Sequence, residues 1–319
     1  MEVKVENVTR IFGPVTAADH VSFSFGSGSI FGFIGPNGAG KTTTIRIMAT
    51  LDLPDGGDVL YDGVSAVLYP EEARKVVGFM PDSLPGFKDI MVWEYLDFCA
   101  RSFGLKGKLR RKRLREVEEF TELGDMREKP LAALSKGMKQ RVSLARALVH
   151  DPEVLIMDEP AAGLDPRARL ELRNLLKILA SQKKAILWSS HILSELQDIC
   201  SGAVIIERGK VLSAGSLREM SAAVEEKNAP AEEEKTVTII LECAARCDEL
   251  RLKLLENPAV AEVREDAGGR IHFALRDWEN TLSPLMAGLF GAGFPITGFR
   301  KEELSLEELF MRITTGKVQ

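Results

Sequence analysis

The sequence has few cysteines and no long apolar run, and each of these absences excludes a class of protein. Its 319 residues include 4 cysteines, and only Cys243 and Cys247 lie close together, with no histidine pair beside them. Such spacing does not complete a zinc site, so we expect reduced thiols. No apolar stretch approaches the roughly 18 to 20 residues of a membrane span, and the first residues contain no apolar signal region. We therefore predict a soluble, cytoplasmic protein.

The chain also lacks an excess of positive charge. Asp and Glu outnumber Lys and Arg by 47 to 42, which gives a formal net charge of −5. A protein of this charge has no general attraction for nucleic acid, so no nucleic-acid partner is expected. One basic stretch, Lys106 to Arg115, is followed by Glu116 and Glu119. Acid–base pairs four residues apart favour a solvated helix face over a phosphate-binding strip.

Hydrophobic residues make up 45% of the chain, enough for one large or two moderate domains. Short, continuously apolar runs at Ser29 to Ile34, Val154 to Met157 and Ala185 to Trp188 predict parallel strands buried on both faces. A helical insertion is expected over about 92–150. Antiparallel strands, including a hairpin around Arg208-Gly209, are predicted at Val3 to Val8, Val21 to Phe25, Val59 to Tyr61, Val204 to Ile206 and Lys210 to Ser213.

The composition changes after residue 216. Residues 217–235 are assigned to a linker or the frayed end of a helix, because 221–235 contain almost no core-forming side chains. The following pattern predicts strand, helix, strand, strand, helix and strand, the βαββαβ order of a small ferredoxin-like unit. A last helix is predicted from Ser305, which forms a capping box with Glu308. We assign residues 236–319 to this second domain.

A phosphate-binding motif follows the first buried strand. Gly35-Pro-Asn-Gly-Ala-Gly-Lys-Thr-Thr matches G-x-x-x-x-G-K-[ST] in full, in the strand–loop–helix context that the motif requires. The glycines let backbone N–H groups face a polyphosphate, and Lys41 neutralises its β and γ oxygens. Thr42 can ligate Mg²⁺ at the start of the helix. The motif therefore predicts a nucleotide site.

Two acids and a histidine follow the other buried strands. Asp158 and Glu159 come directly after Val154 to Met157, and His191 ends the strand that begins at Ala185. Adjacent side chains at a strand end point apart, so Asp158 can face Mg²⁺ while Glu159 faces an attacking water as its base. The carboxyl ends of parallel strands share one edge of the sheet, which is where α/β folds bind ligands.

A second anion-binding feature is the helix that begins near Ser135. Ser135 is a good N-cap and Gly137 opens the backbone, so the helix start is suited to receive an anion. No other phosphate-binding motif lies near this stretch in sequence. The anion must therefore come from elsewhere.

Residues 1–216 resemble the ATP-binding subunit of an ABC transporter, and the tail at 236–319 resembles the accessory C-terminal domain of bacterial ABC-2 type exporter ATPases. The resemblance implies an α/β fold: a P-loop NTPase (ABC ATPase) core with an antiparallel β subdomain and a helical insertion, plus a small α+β ferredoxin-like C-terminal domain. The motifs that support it occur in the family's order: Gly35 to Thr43, Leu134 to Gln140, Leu155 to Pro160, Gly163 to Pro166 and Ser190-His191.

The resemblance also implies roles and partners. ATP would be held between the P-loop of one chain and the signature helix of another, in a homodimer or paired ATPase that drives an integral membrane permease from the inner face of the membrane. Glu159 would be the general base, His191 the γ-phosphate sensor, and Thr42, Asp82 and Asp158 the Mg²⁺ ligands. The implied nucleotide-binding residues are Phe12, Gly35, Pro36, Asn37, Gly38, Ala39, Gly40, Lys41, Thr42, Thr43, Asp82, Ser135, Gly137 and Asp165.

The chain departs from the family pattern at several positions. Phe12 stands where Tyr is more frequent, a mild change because stacking on adenine needs only a ring face. Lys136 replaces a signature Gly, and Ala162 replaces a Ser or Asn. Asp82 replaces the usual Gln, and its carboxylate could bind the metal more tightly or repel the nucleotide. We expect Asp82 to be a metal and water ligand in an active site.

Other functions stay open at this level. A soluble mechanochemical ATPase acting on nucleic acid or ribosomes usually has two ATPase cores, and this sequence has one P-loop. A regulatory subunit that binds ATP without hydrolysing it is supported only by Asp82. The segment Gly86 to Tyr95 is expected to contact the permease through Phe87 and Trp93, although either could equally be core. For the C-terminal domain, whose sequence shows no clustered polar site, we favour a structural or dimer-supporting role over ligand sensing.

Overall fold

Contacts divide the chain into two units, Met1–Met220 with Ser305–Gln319, and Ser221–Leu304. Within the described residues, no helix has the length and apolar character that a membrane crossing requires. The computed structural model describes residues 1–84, 86–87, 89–197, 199–228, 236–266, 268–302 and 306–314.

Most strands of the first unit are longer than the apolar runs of the sequence by a few residues, whereas the strand Val154–Met157 has the predicted bounds and the strand Ile30–Ile34 begins one residue later than predicted. They form a mostly parallel sheet and a smaller antiparallel sheet. Their bounds are β1 (Glu2–Phe12), β2 (Val15–Gly26), β3 (Ile30–Ile34), β4 (Gly56–Tyr61), β5 (Val64–Ser65), β6 (Val77–Met80), β7 (Val154–Met157), β8 (Ala185–Ser190), β9 (Gly202–Glu207) and β10 (Lys210–Ser216).

The mostly parallel sheet has the order β10-β9-β3-β8-β7-β6, and the antiparallel sheet the order β2-β1-β4-β5. All residues of β7 and β8 are buried, as expected of strands covered on both faces. The predicted antiparallel hairpin around Arg208-Gly209 is confirmed, because β9 pairs antiparallel with β10; β9 also pairs in parallel with β3, which the sequence did not predict. Its own run from Gly202 to Ile206 is continuously buried, which explains this interior place in the sheet.

The helices surround these sheets, and the expected insertion contains α3, α4 and α5. On α4, Nζ of Lys112 lies 3.6 Å from Oε1 of Glu116. This is the kind of acid–base pair expected on a solvated helix face. The helices of the first unit are α1 (Lys41–Met48), α2 (Pro70–Val76), α3 (Val92–Ser102), α4 (Gly107–Phe120), α5 (Lys136–Leu148), α6 (Pro166–Ser181), α7 (Leu193–Leu196) and α8 (Leu217–Asn228), with short 3-10 helices at Gly124–Met126 and Leu131–Ala133.

The second unit has the predicted βαββαβ order. Its antiparallel sheet, β12-β13-β11-β14, is a ferredoxin-like arrangement. Phe273, Leu250 and Leu289 belong to its core, which lies between the sheet and two helices. Its elements are β11 (Thr236–Cys243), α9 (Cys247–Leu255), β12 (Val260–Glu265), β13 (Ile271–Arg276), α10 (Trp278–Gly291) and β14 (Ile296–Lys301).

The sequence showed no clustered polar site in this domain, but the fold creates one. The ring of His272 is buried, with Nδ1 2.8 Å from Oε1 of Glu302 and Nε2 3.3 Å from Oδ2 of Asp266. Asp266 is 6 residues from His272 in sequence, but Glu302 is 30 residues away, so only the folding of the sheet brings Glu302 beside the ring.

The region between the domains differs in part from the expectation. Residues 217–228 form α8, which agrees with the second interpretation, a helix end, whereas 229–235 lie outside the described residues. The terminal helix, α11 (Leu306–Ile313), contacts α7 and groups with the first unit, although the sequence placed it in the C-terminal domain. Its apolar residues Leu306 and Leu309 are buried. Ser305, the expected cap, is not among the described residues.

Candidate active site

The P-loop connects the buried strand β3 to α1 and is packed too closely for a side chain at Gly35 and Gly40. Gly40 has a φ of 99°, and an ideal Cβ there would lie 2.1 Å from the carbonyl oxygen of Ala17. A Cβ on Gly35 would lie 2.3 Å from the carbonyl oxygen of Ile206. No side chain caps the N-terminus of α1. Its N–H groups therefore point to an anion-binding site.

Lys41 lies under this loop and is only 5% exposed. Its Nζ donates to the carbonyl oxygens of Gly35 at 2.7 Å and Pro36 at 3.2 Å, and lies 3.4 Å from Oε1 of Glu159. A buried ammonium group requires such partners, because it has lost its hydration. The lysine is thus placed at the P-loop with the carboxylate of Glu159 beside it.

Asp158 is buried at the end of β7. Ser189 donates its hydroxyl hydrogen to Oδ1 of Asp158 at 2.7 Å, and Thr42 also hydrogen-bonds the carboxyl group. Burial raises the pKa of Asp158, the bonds from Ser189 and Thr42 lower it in part, and the neighbouring carboxylates of Glu159 and Asp82 raise it further. A cation at this position would reverse the effect of burial.

Glu159 has a left-handed backbone, with a φ of 47°, a conformation that costs a non-glycine residue on the order of 1–3 kcal/mol. Its N–H donates to the hydroxyl of Ser189 at 2.9 Å, which holds the turn. Its Oε2 lies 2.9 Å from Nδ1 of His191. The structure therefore brings Lys41, Glu159 and His191 together, as the sequence predicts.

Asp82 follows β6 and is exposed. Its carboxylate accepts a hydrogen bond from Ser83 at 3.2 Å, and its carbonyl oxygen accepts one from Nε2 of Gln140 at 3.3 Å. Gln140 lies on α5, so the helix that begins at Ser135 is joined to the Asp82 loop. The predicted metal role of Asp82 stays a prediction.

The signature residues form a second group. Ser135 caps α5, and its Oγ accepts from the N–H of Met138 at 3.3 Å. Asp165 caps α6 by accepting from Ala168 at 2.9 Å. A Cβ on Gly137 would lie 3.6 Å from the Cβ of Ala168, so the two helix starts are adjacent. Two capped helix N-termini therefore share one surface.

Phe12, at the end of β1, is 47% exposed. The guanidinium carbon of Arg10 lies 4.8 Å from the centre of its ring. This cation covers one ring face, and the other face is the one on which an adenine could stack.

The residues at the P-loop fit a Mg²⁺-bound nucleotide. Thr42 and Asp158 offer hard oxygen atoms, and Mg²⁺ is usually held by one or two protein oxygens together with phosphates and water. No group of three His, Cys, Asp or Glu suited to a metal occurs among the residues that the structure describes. The two protein oxygens of Thr42 and Asp158 suit a metal whose other ligands are phosphates and water.

Sequence reasoning missed three contributors to the site. Ser189 bridges the two acids of the β7 end, Gln140 holds the Asp82 loop, and Gly209 donates its N–H to the carbonyl oxygen of Ala39 in the P-loop at 3.0 Å. Ser189 had a local signal, a polar residue at the carboxyl end of a buried strand, and Gln140 ends the motif Leu134 to Gln140 but was given no role.

This glycine-rich loop between the buried strand β3 and a helix, with paired acids at the end of β7 in the same sheet, defines a P-loop ATPase. The ABC transporter family profile matches residues 18–162, and the profile of the ATP-binding protein DrrA1-3-like C-terminal domain matches residues 231–314. A Nod factor export ATP-binding protein I of Cupriavidus metallidurans is 31% identical over 312 residues, covering 98% of this chain and 97% of the relative. The chain belongs to the ATP-binding subunits of ABC transporters, which are ATPases.

Solved structures agree with this assignment. The ATP-binding subunit of an ABC transporter has a TM-score of 0.65 and 28% identity, covering 72% of this chain and 95% of that one. An ATP-binding cassette solved as a dimer in a post-hydrolysis state with ADP and Pi has a TM-score of 0.60 and 27% identity, covering 68% of this chain and 99% of that one.

Proposed function

We propose that this chain hydrolyses ATP as half of a head-to-tail dimer, and that the dimer drives a separate membrane permease in export. The observation that supports it best is the convergence at the P-loop. Glu159 lies 3.4 Å from the ammonium group of Lys41 and 2.9 Å from the ring of His191. A base, a phosphate-binding cation and a third polar group beside the P-loop are the groups that attack of water on a γ-phosphate would use.

The dimer follows from the second group of residues. Among the described residues, Ser135 hydrogen-bonds only within the first turn of α5. In a head-to-tail dimer, Ser135 and Gly137 of one chain would face the γ-phosphate bound by the P-loop of the other. The dimeric relative with ADP and Pi supports this arrangement.

In the proposed reaction, water attacks the γ-phosphate in line with the leaving oxygen. The carboxylate of Glu159 orients that water and accepts its proton. Lys41 and the N–H groups of the P-loop would bind the phosphate oxygens, while Thr42 and Asp158 would hold Mg²⁺, which would supply neutralisation of the phosphate charge. His191 donates Nδ1–H to Glu159, so that Nε2 faces the γ-phosphate.

The segment from Gly86 to Tyr95 is the proposed permease contact. Phe87 is 43% exposed, and its ring centre lies 6.2 Å from that of Tyr95. Trp93 is half-buried and packs against the guanidinium group of Arg127. Phe87 is therefore the better candidate of the two predicted aromatics. Pro85 and Lys88 lie outside the described residues.

Export is proposed because the relative that matches almost the whole chain is named for export of Nod factor. Contact with a permease would hold the chain at the inner face of the membrane. We also propose that the C-terminal domain, residues 236–319, supports the dimer.

The test is ATP hydrolysis by the purified chain. Glu159→Gln should abolish hydrolysis and retain ATP binding, because the amide cannot accept the proton. Glu153→Gln is the matched control, since Glu153 lies at the opposite end of β7. This variant should hydrolyse ATP at the wild-type rate. Co-purification of an integral membrane protein tests the permease. An equal loss of activity in both variants would contradict the assignment of the base.

A further inference from the structure

Glu195 on α7 is an acid for which the proposed reaction has no role. Its side chain is fully buried, one turn after His191. Its Oε2 accepts from the hydroxyl of Ser190 at 2.7 Å, and its Oε1 lies 3.6 Å from Nε of Arg169. Burying a carboxylate is costly unless it is paired. Ser190 and Arg169 are therefore the two residues that Glu195 connects.

Arg169 connects Glu195 to the loop before α6. Its Nη2 donates to the carbonyl oxygen of Leu164 at 3.3 Å. Leu164 precedes Asp165, the N-cap of α6 on the surface that holds the signature group. One guanidinium group thus contacts both this loop and the buried acid.

Ser190 connects Glu195 to the catalytic group. It directly precedes His191, whose ring lies 2.9 Å from Glu159. A continuous series of polar contacts therefore runs from Leu164 through Arg169, Glu195 and Ser190 to His191.

The geometry of the Arg169–Glu195 ion pair indicates that the pair contributes little to the stability of the fold. At 3.6 Å the pair is beyond hydrogen-bond distance, and in the part of the chain that the structure describes neither Nε of Arg169 nor Oε1 of Glu195 has a hydrogen-bond partner. Buried ion pairs are often no better for stability than apolar residues of similar volume, whereas they can specify one arrangement.

We propose that Arg169 and Glu195 are positioning residues that hold His191 in a defined arrangement with the loop 163–165. The inference rests on the proposed roles of His191 and Glu159. A dimer partner that binds at this loop would then affect the histidine of the same chain, through contacts that do not include the nucleotide.

Glu195→Gln and Arg169→Met test the inference in the full chain. Gln keeps an acceptor for Ser190 but removes the charge, and Met keeps the apolar stem of Arg169. We expect kcat for ATP hydrolysis to fall about 10- to 100-fold in each variant, because small displacements at a catalytic site have effects of this size. The Kd for a fluorescent ATP analogue should stay within about twofold of wild type. The double variant should be no slower than the slower single variant, because both break one connection.

The pair Lys184–Asp151 is the matched control. Nζ of Lys184 lies 2.9 Å from Oδ1 of Asp151. The two residues precede β8 and β7, at the ends of these strands opposite the candidate active site. Lys184→Met and Asp151→Asn should keep the wild-type kcat. Arg169 is a third exposed, so Arg169→Met keeps the inference testable if the buried Glu195→Gln chain does not fold.

Loss of kcat in the Arg169 and Glu195 variants alone, with Kd and thermal midpoint retained, supports the inference. If either variant keeps the wild-type kcat while Glu159→Gln abolishes hydrolysis, the inference is overturned and the proposed function stands. Equal losses in the control pair overturn it as well, since the effect would be general destabilisation. If Glu159→Gln hydrolyses ATP normally, the proposed function itself fails.

Discussion

Nδ1 of His191 lies 2.9 Å from Oε2 of Glu159, and the two residues end or follow neighbouring strands of one parallel sheet. The bond aligns the ring beside the acid, so that the second ring nitrogen can face a phosphate. It also makes the orientation of Glu159 dependent on His191.

Replacing His191 should therefore impair chemistry more than binding. We expect His191→Ala to lower kcat about 100-fold or more, as removal of one preorganised donor does, with little change in the Kd for ATP. Steady-state hydrolysis and equilibrium binding measure the two effects. As a control, His20→Asn changes an exposed histidine and should leave kcat unchanged. A large rise in Kd for His191→Ala would instead indicate a role in ground-state binding.

Asp82→Gln tests the departure from the family at the loop after β6. If Asp82 is a metal and water ligand, the substitution should change kcat and shift the Mg²⁺ concentration that gives half-maximal hydrolysis. The hydrogen bond from Nε2 of Gln140 to the carbonyl oxygen of Asp82 does not involve the Asp82 side chain, so the loop should keep its position. Unchanged Mg²⁺ dependence and unchanged kcat would together show that Asp82 has no such role.

Ser135→Arg should spare ATP binding to the monomer and block both dimer closure and hydrolysis, because the added side chain would occupy the anion site. Ser135→Ala separates this effect from loss of the helix cap, which costs about 0.5–2 kcal/mol of stability. Light scattering with ATP measures the dimer.

Mixing two inactive chains tests the head-to-tail arrangement directly. A mixed dimer of Lys41→Ala and Ser135→Arg chains has one site with both changes and one site with neither. Random mixing should restore about a quarter of the wild-type sites. No recovery of hydrolysis would contradict a site shared between chains.

Phe12→Ala should weaken ATP binding about 2- to 12-fold, since stacking on an aromatic ring is worth roughly 0.5–1.5 kcal/mol. Phe12→Tyr should bind ATP as the wild type does, because the ring face is retained. GTP provides a second readout, as any base that stacks should show the same loss. Equal ATP affinity in all three chains would mean that the base does not contact this ring.

His150 predicts a pH dependence of stability that is separate from catalysis. Burial lowers the pKa of His150 to about 4, and its ring is stacked on Phe103 and hydrogen-bonded to the carbonyl of Val77. In the unfolded chain, His150 binds a proton near pH 6.5. The contribution of the neutral ring to the free energy of unfolding is therefore complete above that pH and is lost as pH falls towards 4.

Urea unfolding measures this effect. The free energy of unfolding should fall by about 2 kcal/mol from this residue between roughly pH 7.5 and pH 5. His150→Phe should remove that part of the pH dependence. The same slope in both chains would show that other groups cause it.

The sequence alone determined the P-loop, the acids at the end of β7, and the βαββαβ order of strands and helices in the second unit. These features depend on short-range rules: a glycine-rich spacing, apolar runs and changes of periodicity. The buried strand Val154–Met157 was predicted with the bounds that the structure has.

Tertiary structure decided the contacts between residues distant in sequence. The hairpin around Arg208-Gly209 was predicted correctly, but the parallel pairing of β9 with β3 was not, because a strand does not encode which second neighbour it will have. Ser189, Gln140 and Gly209 join the site only when strands and helices come together. Neither the His272 cluster nor the connection from Leu164 to His191 has a motif, since each depends on packing between separate segments.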